Sequence, residues 1–256
     1  MSASLFSLEG RIALVTGGSR GIGKMIAQGF AAHGAKVYIS SRKADQCAQT
    51  ASDIGAISLP GDISTVEGAQ RLAAEFVALE QSLDILVNNA GGIWMAEFDS
   101  YPEKGWDKVV DVNLKAPFFL TQAFTPLLRA AASDARPAKV INITSIDGIT
   151  INPVETYAYQ ASKAGLIHLT RRMAAKLISD NIVVSSIAPG AFPSDINVFA
   201  RDNPEAVGAA IPSRRVGKAS DIVGAAVFLA SRAGDYVVGE TLVVDGGITA
   251  IGRGAA

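Results

Sequence analysis

Short apolar runs recur along the whole chain, and longer amphipathic segments separate them. The runs are rich in Val and Ile and lack polar alternation, which is the pattern of parallel strands covered on both faces. Seven strands are predicted, at Ile12–Val15, Lys36–Ser40, Ala56–Leu59, Leu83–Val87, Lys139–Ile143, Val183–Ile187 and Leu242–Val244. Because strands that alternate with helices form right-handed βαβ units, the sequence predicts an α/β fold with a doubly wound parallel sheet.

The predicted helices fill the intervals between these strands. They are Gly23–His33, Ala44–Ser52, Val66–Leu79, Glu103–Ala131, Tyr157–Ser179 and Ser220–Ser231. No linker, repeat or low-complexity tract divides the sequence, so we expect a single domain over residues 1–256.

Residues 192–213 interrupt the alternation of predicted strands and helices, because the segment contains Pro193, Pro204 and Pro212. It lies between the sixth and seventh predicted strands, above the carboxyl ends of the strands, where doubly wound folds bind ligands. We therefore predict a substrate-covering loop insertion, with an ordinary surface insertion as the alternative.

Composition excludes several classes of protein. Hydrophobic residues make up 49% of the chain and charged residues 18%, which supports a sizeable core. With 23 basic and 24 acidic residues and no basic run, the chain lacks the charge pattern of a nucleic-acid-binding protein. Cys47 is the only cysteine, so no multi-cysteine site and no metal are expected.

Targeting signals are also missing from the sequence. The N-terminus lacks the features of a signal peptide, and no apolar run is long enough to span a membrane. We expect a cytoplasmic protein without nucleic-acid or membrane partners.

A glycine-rich turn, Thr16–Gly23, joins the first predicted strand to the first helix. Its spacing is G-x-x-x-G-x-G. Glycines allow a tight turn and a close approach to a ligand, and a helix N-terminus offers free N–H groups, so this context favours binding of a dinucleotide pyrophosphate.

The same turn also matches the hydrolase pattern G-x-S-x-G, with Ser19 as nucleophile. Such an enzyme needs a histidine late in the chain. The only histidines, His33 and His168, do not follow a late strand, so the hydrolase interpretation is disfavoured.

The end of the second strand predicts which dinucleotide binds. An NAD-selective site places a carboxylate there, but this strand ends in Ser40-Ser41-Arg42-Lys43, with no acid before Asp45. Arg20 and Arg42 would pair with a 2′-phosphate, and Ser41 could donate to it. We therefore predict NADP(H); if no nucleotide binds, Arg42 and Lys43 only solvate a loop.

Tyr159 and Lys163 stand at i and i+4 of one predicted helix, and hence on one face. A tyrosine with an ordinary pKa is a poor acid or base at neutral pH, and a cation beside it favours the phenolate. Ser145 ends the preceding strand segment and can face the same pocket.

In these motifs the chain resembles the short-chain dehydrogenases/reductases from about Leu8 to Gly247. The matching residues are Thr16–Gly23, Asp62, Asn88–Gly91, Asn113, Ser145, Tyr159, Lys163, Pro189-Gly190 and Asp245–Gly247. The resemblance implies one seven-stranded Rossmann-type domain, assembled as a homotetramer or homodimer.

The resemblance also implies catalytic roles. Tyr159 protonates the carbonyl oxygen in reduction, or deprotonates the alcohol in oxidation. Lys163 holds the nicotinamide ribose and lowers the tyrosine pKa, Ser145 hydrogen-bonds the substrate oxygen, and Asn113 supports a water relay to Lys163.

For the cofactor, the resemblance implies that Asp62 contacts adenine, that Asn89 lines the groove, and that Pro189 to Ser194 fix the carboxamide. The full set of predicted cofactor contacts is Gly17, Ser19, Arg20, Gly21, Ile22, Gly23, Ser41, Arg42, Asp62, Ile63, Asn89, Tyr159, Lys163, Pro189, Gly190, Phe192 and Ser194.

The substrate is less constrained. The chain looks most similar to bacterial 3-oxoacyl (β-ketoacyl) reductases, including the rhamnolipid type, which implies NADPH-dependent reduction of a 3-oxoacyl thioester. Small ketones, sugars, polyols or steroids are alternative substrates, and a non-catalytic dinucleotide sensor is an alternative from another class.

Several residues near the predicted pocket stay open between two interpretations. Asp147 stands where many relatives carry a small apolar residue, and it either tunes the pocket toward polar substrates or faces solvent. Trp94, Glu155 and Phe192 are candidate pocket walls, although Trp94 could equally anchor a loop. A last set either binds an acidic carrier protein or solvates a helix face: Arg129, Arg171, Arg172 and Lys176.

Overall fold

The computed structural model describes residues 5–252, and these form one seven-stranded parallel sheet. The strands are β1 Ile12–Thr16, β2 Lys36–Ser40, β3 Ile57–Ser58, β4 Ile85–Asn88, β5 Ala138–Ile143, β6 Ile182–Pro189 and β7 Thr241–Val244. Their order in the sheet is β3-β2-β1-β4-β5-β6-β7. The order reverses between β1 and β4, the kind of switch point at which open α/β sheets bind ligands. The predicted fold class is confirmed.

Helices cover both faces of the sheet. They are α1 Gly21–Ala32, α2 Ala44–Ile54, α3 Val66–Val77, α4 Glu103–Val110, α5 Ala116–Ala131, α6 Tyr157–Leu177, α7 Val198–Asp202, α8 Pro204–Ala209, α9 Ala219–Ala230 and α10 Ile248–Ile251. On one face α3, α5 and α6 pack through side chains such as Phe76 and Phe124, and on the other α1, α2 and α9 pack through Phe30 and Ile222. Burial on both faces explains why the strands are apolar at almost every position.

The helix predicted over Glu103–Ala131 is wrong as a single α-helix. The structure has α4, then a π-helical turn at Asp111–Lys115, then α5. Pro117 explains the interruption, because proline has no N–H to donate and its ring clashes with the carbonyl four residues earlier, here that of Asn113. A π turn widens the backbone at that point, and such turns are frequent at functional sites.

Residues 192–213 are also more ordered than the predicted loop. The segment contains the short helices α7 and α8. The Asn197 side chain accepts a hydrogen bond from the Ala200 N–H at 3.1 Å and so caps α7, and Pro204 stands at the start of α8, where its missing N–H costs nothing. The sequence has capping residues here, but runs of five and six residues are too short for periodicity to identify.

Among residues 5–252, no helix combines the length and apolar character needed to cross a bilayer. In the same range, no cluster of three His, Cys, Asp or Glu side chains is arranged to hold a metal ion.

Candidate active site

Ser145, Tyr159 and Lys163 meet at the carboxyl end of β5. Ser145 lies two residues after the end of that strand, and the other two lie on the first two turns of α6. All three are buried, with exposed fractions of 7%, 9% and 5%. The i, i+4 spacing read from the sequence therefore does place both helix residues toward the strand end.

Tyr159 is held as a neutral phenol. Burial raises its pKa to about 12; a hydrogen bond with Ser145 acts in the opposite direction, and the Asp147 carboxylate adds to the rise. This differs from the expected lowering by Lys163, because loss of hydration outweighs any attraction to the cation in this structure. At neutral pH the group is thus poised to give up a proton only to a strongly basic oxygen.

Lys163 is fixed by the strand as well as by its own helix. Its Nζ donates to the Ile143 carbonyl at 2.8 Å and lies 5.7 Å from the centroid of the Tyr159 ring. Burial lowers the pKa of Lys163 to about 8, so the ammonium form still predominates at neutral pH. The site therefore contains a phenol beside a buried cation.

A short 3-10 turn, Ile146–Gly148, sets the position of Ser145 relative to α6. The Asp147 N–H donates to the Ser145 Oγ at 3.1 Å. A Cβ on Gly148 would lie 2.7 Å from the carbonyl carbon of Lys163 and from the Ala164 nitrogen, so the turn rests directly on the helix backbone. Only glycine permits that approach.

Asp147 does not simply face solvent, and its predicted influence on substrate polarity stays a prediction. Its two carboxylate oxygens accept from the Asn152 side chain at 3.3 and 3.4 Å. Asn152 is in turn bound by Gln160 of α6, through the Asn152 N–H and carbonyl. These contacts tie the segment between Ser145 and Tyr159 to the helix.

Asn113 lies on the π turn and is fully buried. Its amide pairs with both backbone groups of Gly92, at 2.9 and 3.0 Å, and donates to the Ser162 Oγ at 3.1 Å. A Cβ on Gly91 would lie 3.1 Å from Asn113 Oδ1 and 3.8 Å from Lys163 Nζ. The side chain thus fixes the loop after β4 against α6; its predicted support of a water relay stays a prediction.

The glycine-rich turn has the geometry expected for holding a phosphate group. Gly17 and Gly21 have φ values of +63° and +53°, which favour glycine. A Cβ on Gly23 would meet the Asn89 Nδ2 at 2.4 Å, and that nitrogen donates to the Thr16 carbonyl at 2.8 Å. No side chain caps α1, so the N–H groups at its N-terminus are left for a ligand.

Thr16 joins this turn to the loop after β4. Its Oγ1 donates to the Val87 carbonyl at 3.1 Å and accepts from the N–H groups of Asn89 and Ala90 at 3.0 and 3.1 Å. These hydrogen bonds tie the glycine-rich turn to the loop after β4 at the switch point between β1 and β4.

Some of the residues predicted to select NADP(H) over NAD(H) already have partners within the protein. Arg42 is exposed at the end of β2, and the Ser41 hydroxyl makes only a long contact, 3.4 Å, with the Lys43 carbonyl. Arg20, by contrast, forms an ion pair with Asp195 from the 192–213 segment. Ser19 is buried, and its carbonyl accepts from Thr50 of α2.

Asp62 and Ile63 follow β3, the neighbour of β2, at the edge of the sheet where the strands have their carboxyl ends. Burial acts to raise the pKa of Asp62, but hydrogen bonds from Ser64 and the charge of Arg42 leave it below its ordinary value, so it is ionised. The Ile63 side chain packs into the core, which leaves its backbone as the part that a ligand could touch.

Beyond β6, Gly190 passes close to the following strand, since a Cβ there would lie 2.8 Å from the Asp245 Cα. Phe192 is 2% exposed and packs into the core against Gly217, and it also lines a cavity together with Ile211 and Asp245. Its role as a wall of the substrate pocket stays a prediction. Ser194 accepts from the Asn197 N–H at 3.1 Å. Pro189 is the last residue of β6, and the Ile22 side chain packs on the core cluster under α1.

The other two predicted pocket walls have local roles. Trp94 lies against Gly105, with the Lys108 ammonium 5.5 Å from its ring centroid, so it anchors the loop after β4 to α4. Glu155 is exposed and accepts from the Tyr157 hydroxyl at 2.7 Å.

A buried polar network that the sequence analysis missed lies one layer below the site. The Asn88 Nδ2 donates to Asn142 Oδ1 at 2.8 Å and to Thr121 at 3.1 Å, and Asn142 donates to Thr170 at 2.9 Å. These bonds join β4 and β5 to α5 and α6. Two asparagines at the ends of otherwise apolar strands were the available signal, because buried polar groups require partners.

Of the predicted carrier-binding set, Arg129 is engaged: its guanidinium binds the Asp180 carboxylate through two nitrogens, at 2.9 and 2.7 Å. The remaining three, Arg171, Arg172 and Lys176, are exposed on α6. Their docking role stays a prediction.

This arrangement suits carbonyl chemistry. A neutral phenol next to a serine hydroxyl can hydrogen-bond one oxygen and give it a proton, and the adjacent buried cation stabilises the negative charge left on the phenolate. The glycine-rich turn follows β1, and β4 separates that strand from β5, so the turn and the three side chains lie at the same edge of the sheet.

Comparisons with known proteins agree with this chemistry. A family model described as enoyl-(acyl carrier protein) reductase matches residues 17–249. The chain is 46% identical over 249 residues to the rhamnolipids biosynthesis 3-oxoacyl-[acyl-carrier-protein] reductase of Pseudomonas aeruginosa, covering 94% of this chain and 97% of that one. It is 35% identical to 2-dehydro-3-deoxy-D-gluconate 5-dehydrogenase of Escherichia coli, covering 96% and 98%.

Solved structures give the same picture. The Pseudomonas aeruginosa RhlG/NADP active-site complex superposes with a TM-score of 0.93 at 45% identity, covering 96% of this chain and 99% of that one. A gluconate 5-dehydrogenase from Burkholderia cenocepacia in complex with NADP and tartrate superposes with a TM-score of 0.89 at 33% identity, covering 97% and 99%. The chain belongs to the short-chain dehydrogenase/reductase family of oxidoreductases.

Proposed function

We propose that this enzyme reduces the 3-oxo group of an acyl thioester to a 3-hydroxyacyl group, with NADPH as the hydride donor. The relative with 46% identity is named for that reaction on an acyl-carrier-protein thioester. Ser145, Tyr159 and Lys163 supply the groups that the reduction of a carbonyl needs.

Three exposed apolar side chains around the site, here called the rim, favour an acyl substrate. Met95 follows β4, Ile151 lies between Ser145 and Tyr159, and Phe199 belongs to α7 after β6; their exposed fractions are 65%, 90% and 64%. Because β4, β5 and β6 are neighbours in the sheet, the segments that follow them converge above the site. Exposed apolar side chains on all three segments fit an alkyl chain better than the hydroxyl groups of a sugar acid.

The residues present fit an NADP(H) cofactor. The uncapped N-terminus of α1 and the glycines before it would hold the pyrophosphate, and Arg42 with Ser41 would hold the 2′-phosphate. No carboxylate stands at the end of β2 to repel that phosphate. When bound, the cofactor supplies the hydride that reaches the carbonyl carbon.

The chain's own residues supply the proton and the charge stabilisation. Tyr159, neutral at physiological pH, hydrogen-bonds the substrate oxygen and donates its proton as negative charge develops there. Ser145 donates a second hydrogen bond to that oxygen. Lys163, charged below about pH 8, stabilises the phenolate left behind until a proton from solvent restores it.

A substrate panel tests this proposal. NADPH oxidation is measured with 3-oxoacyl thioesters of increasing chain length and with a keto sugar acid, and NADH is run in parallel. We expect kcat/KM to rise with chain length, by up to about fourfold per methylene that the rim buries. Activity confined to the sugar acid would overturn the acyl assignment, and preference for NADH would overturn the cofactor assignment.

A pair of variants tests the rim itself. Phe199→Ser removes one exposed apolar side chain from the rim, whereas Val77→Ser removes another, 47% exposed, from the far end of α3. We expect only Phe199→Ser to flatten the dependence of kcat/KM on chain length. An equal effect of both variants would contradict the role of the rim.

A dehydrogenase of sugar acids is the second candidate. Asp147 and Asn152 place a hydrogen-bonded polar pair next to Ser145, which could contact substrate hydroxyl groups. Relatives named for 2-dehydro-3-deoxy-D-gluconate support the same alternative.

We also propose that the enzyme acts in the cytoplasm as a homotetramer or homodimer. Trp106 of α4 and Phe118 of α5 are 42% and 38% exposed, which suits burial against a second copy. Light scattering tests the assembly, and the mass of a single chain would contradict it.

A further inference from the structure

An ion pair connects the glycine-rich turn to the segment after β6. The Arg20 Nη1 lies 2.5 Å from Asp195 Oδ2, and the Arg201 Nη1 lies 2.9 Å from Asp195 Oδ1. One carboxylate therefore bridges two guanidinium groups, one from each side of the site. Arg201 has a second partner, Asp202, at 2.8 Å, whereas Asp195 is the one acid that pairs with Arg20 among residues 5–252.

The segment that carries Asp195 is packed onto the turn rather than hanging over it. A Cβ on Gly21 would lie 3.3 Å from the Ser194 Cβ. Ser194 accepts from the Asn197 N–H, and Ala200 of α7 is fully buried. These contacts hold the backbone of the segment close to the turn, and so keep Asp195 within reach of Arg20.

This placement creates a conflict with the proposed cofactor. The guanidinium of Arg20 is one of the cationic groups available to a 2′-phosphate near the turn, and Asp195 already neutralises it. A phosphate that approaches Arg20 must displace the carboxylate or share the cation with it, and a carboxylate near a phosphate is repelled. NADH has no 2′-phosphate and does not meet this conflict.

We propose that Asp195 competes with the 2′-phosphate of NADPH for Arg20 and so limits the preference of the enzyme for NADPH over NADH. This inference rests on the proposed NADPH dependence. Asp195 is a specificity-determining residue in this view, although it contacts neither reacting atom. Its effect is confined to the one cofactor that carries the phosphate.

Dissociation constants of NADPH and NADH, measured by nucleotide fluorescence, test the proposal on the full-length protein. In Asp195→Asn we expect NADPH to bind about two- to fivefold more tightly, the range for an exposed ion pair, with NADH unchanged. The matched control is Asp202→Asn, which removes an equal charge that pairs with Arg201 but not with Arg20. It should change neither constant.

A double variant separates competition from a general loss of negative charge. In an Arg20→Ala background, Asp195→Asn should no longer change NADPH binding. The proposal is overturned if Asp195→Asn leaves NADPH binding unchanged or weaker, if it tightens NADH equally, or if its effect persists without Arg20. Preference of the unaltered enzyme for NADH would instead refute the proposed cofactor, so the two failures are distinguishable.

Discussion

Two tyrosines stand two residues apart at the start of α6, and their surroundings differ. The Tyr159 hydroxyl is buried with Ser145, whereas the Tyr157 hydroxyl donates to the exposed carboxylate of Glu155 at 2.7 Å. Chemistry that needs a phenol shielded from water can use only Tyr159. Tyr159 is therefore the catalytic candidate, and Tyr157 serves as its matched control.

Tyr159→Phe removes the proposed proton donor without changing the volume of the ring. We expect kcat to fall by about 100- to 10,000-fold, as for the loss of a general acid, with NADPH binding nearly intact. Tyr157→Phe should retain most of the activity. Substantial turnover by Tyr159→Phe, or an equal loss in both variants, would rule out the assigned role; steady-state kinetics and nucleotide fluorescence make the comparison.

The pKa values of the site predict how reduction depends on pH. Burial lowers the pKa of Lys163 to about 8 and raises that of Tyr159 to about 12, so both are protonated below pH 8. As pH rises through about 8, Lys163 loses its charge while Tyr159 keeps its proton. We therefore expect kcat/KM for NADPH, which reports the free enzyme, to fall above about pH 8.

Two measurements test whether Lys163 causes the fall in kcat/KM above about pH 8, which we call the alkaline limb. Lys163→Arg stays charged at every accessible pH, so its residual activity should not show the alkaline limb. The folded pKa of Lys163 lies below its ordinary 10.5, so its contribution to the free energy of unfolding should increase between about pH 8 and 10.5. Activity that falls there because the protein unfolds, or a limb that survives in Lys163→Arg, would contradict the assignment to Lys163.

At the scale of elements, the 3-10 turn Ile146–Gly148 couples β5 to α6. Gly148→Ala would place a Cβ 2.7 Å from helix backbone atoms, which cannot move aside as a flexible side chain can. We expect a loss of roughly 1–3 kcal/mol in the free energy of unfolding, together with a lower kcat as Ser145 shifts. Urea unfolding and kinetics measure both.

Gly224→Ala is the matched control for that substitution. Gly224 lies inside α9 with nothing within 4 Å of a Cβ, so alanine should stabilise the protein by about 0.5–1 kcal/mol and leave kcat unchanged. If both glycine variants change stability by the same amount and sign, the close contact at Gly148 has no energetic importance.

The elements also show which parts of the fold the sequence could predict. Strands β1, β2 and β5 agree with their predicted ranges to within one residue, because apolar Val- and Ile-rich runs have one stable environment, the middle of a covered sheet. The π turn at Asp111–Lys115 was missed, since the apolar periodicity continues through it and only Pro117 marks the change. The same holds for α7, whose cap is one asparagine.

Some features of the site could be predicted from the sequence and others could not. Tyr159, Lys163 and Ser145 could be found because i, i+4 spacing and strand ends are local properties of the sequence. The Arg20–Asp195 pair joins residues 175 positions apart, and the raised pKa of Tyr159 depends on burial by the whole fold. Neither property is encoded in a motif, so neither could be predicted before the chain was folded.

On the scale of the whole molecule, the two ends of the sheet serve different purposes. The candidate site occupies the carboxyl ends of the strands. At the start of β5, near the other end, Lys139 is fully buried, and its Nζ lies 2.6 Å from Asp235 Oδ1. Arg11 and Asp84 pair nearby at 3.3 Å. Burial lowers the pKa of Lys139, although the charge of Asp235 opposes the shift.

This separation predicts that charge changes at the amino end alter stability and leave the chemistry intact. Asp235→Ala strands a buried ammonium and should lower the free energy of unfolding by roughly 1–3 kcal/mol, less than for a fully buried pair because Asp235 is 30% exposed. Lys139→Met removes the charge but fills the same space, and should be neutral or stabilising. Urea unfolding measures stability, and kcat is measured on the folded fraction.

In both variants kcat per folded molecule should equal that of the unaltered enzyme, because neither group faces Ser145, Tyr159 or Lys163. Lys139→Met is the decisive member of the pair. If it destabilises the protein as much as Asp235→Ala does, the ion pair itself stabilises the fold, and the penalty for an unpaired buried charge is not the cause. If it lowers kcat, the start of β5 is coupled to the residues at its carboxyl end, and the two ends of the sheet do not act independently.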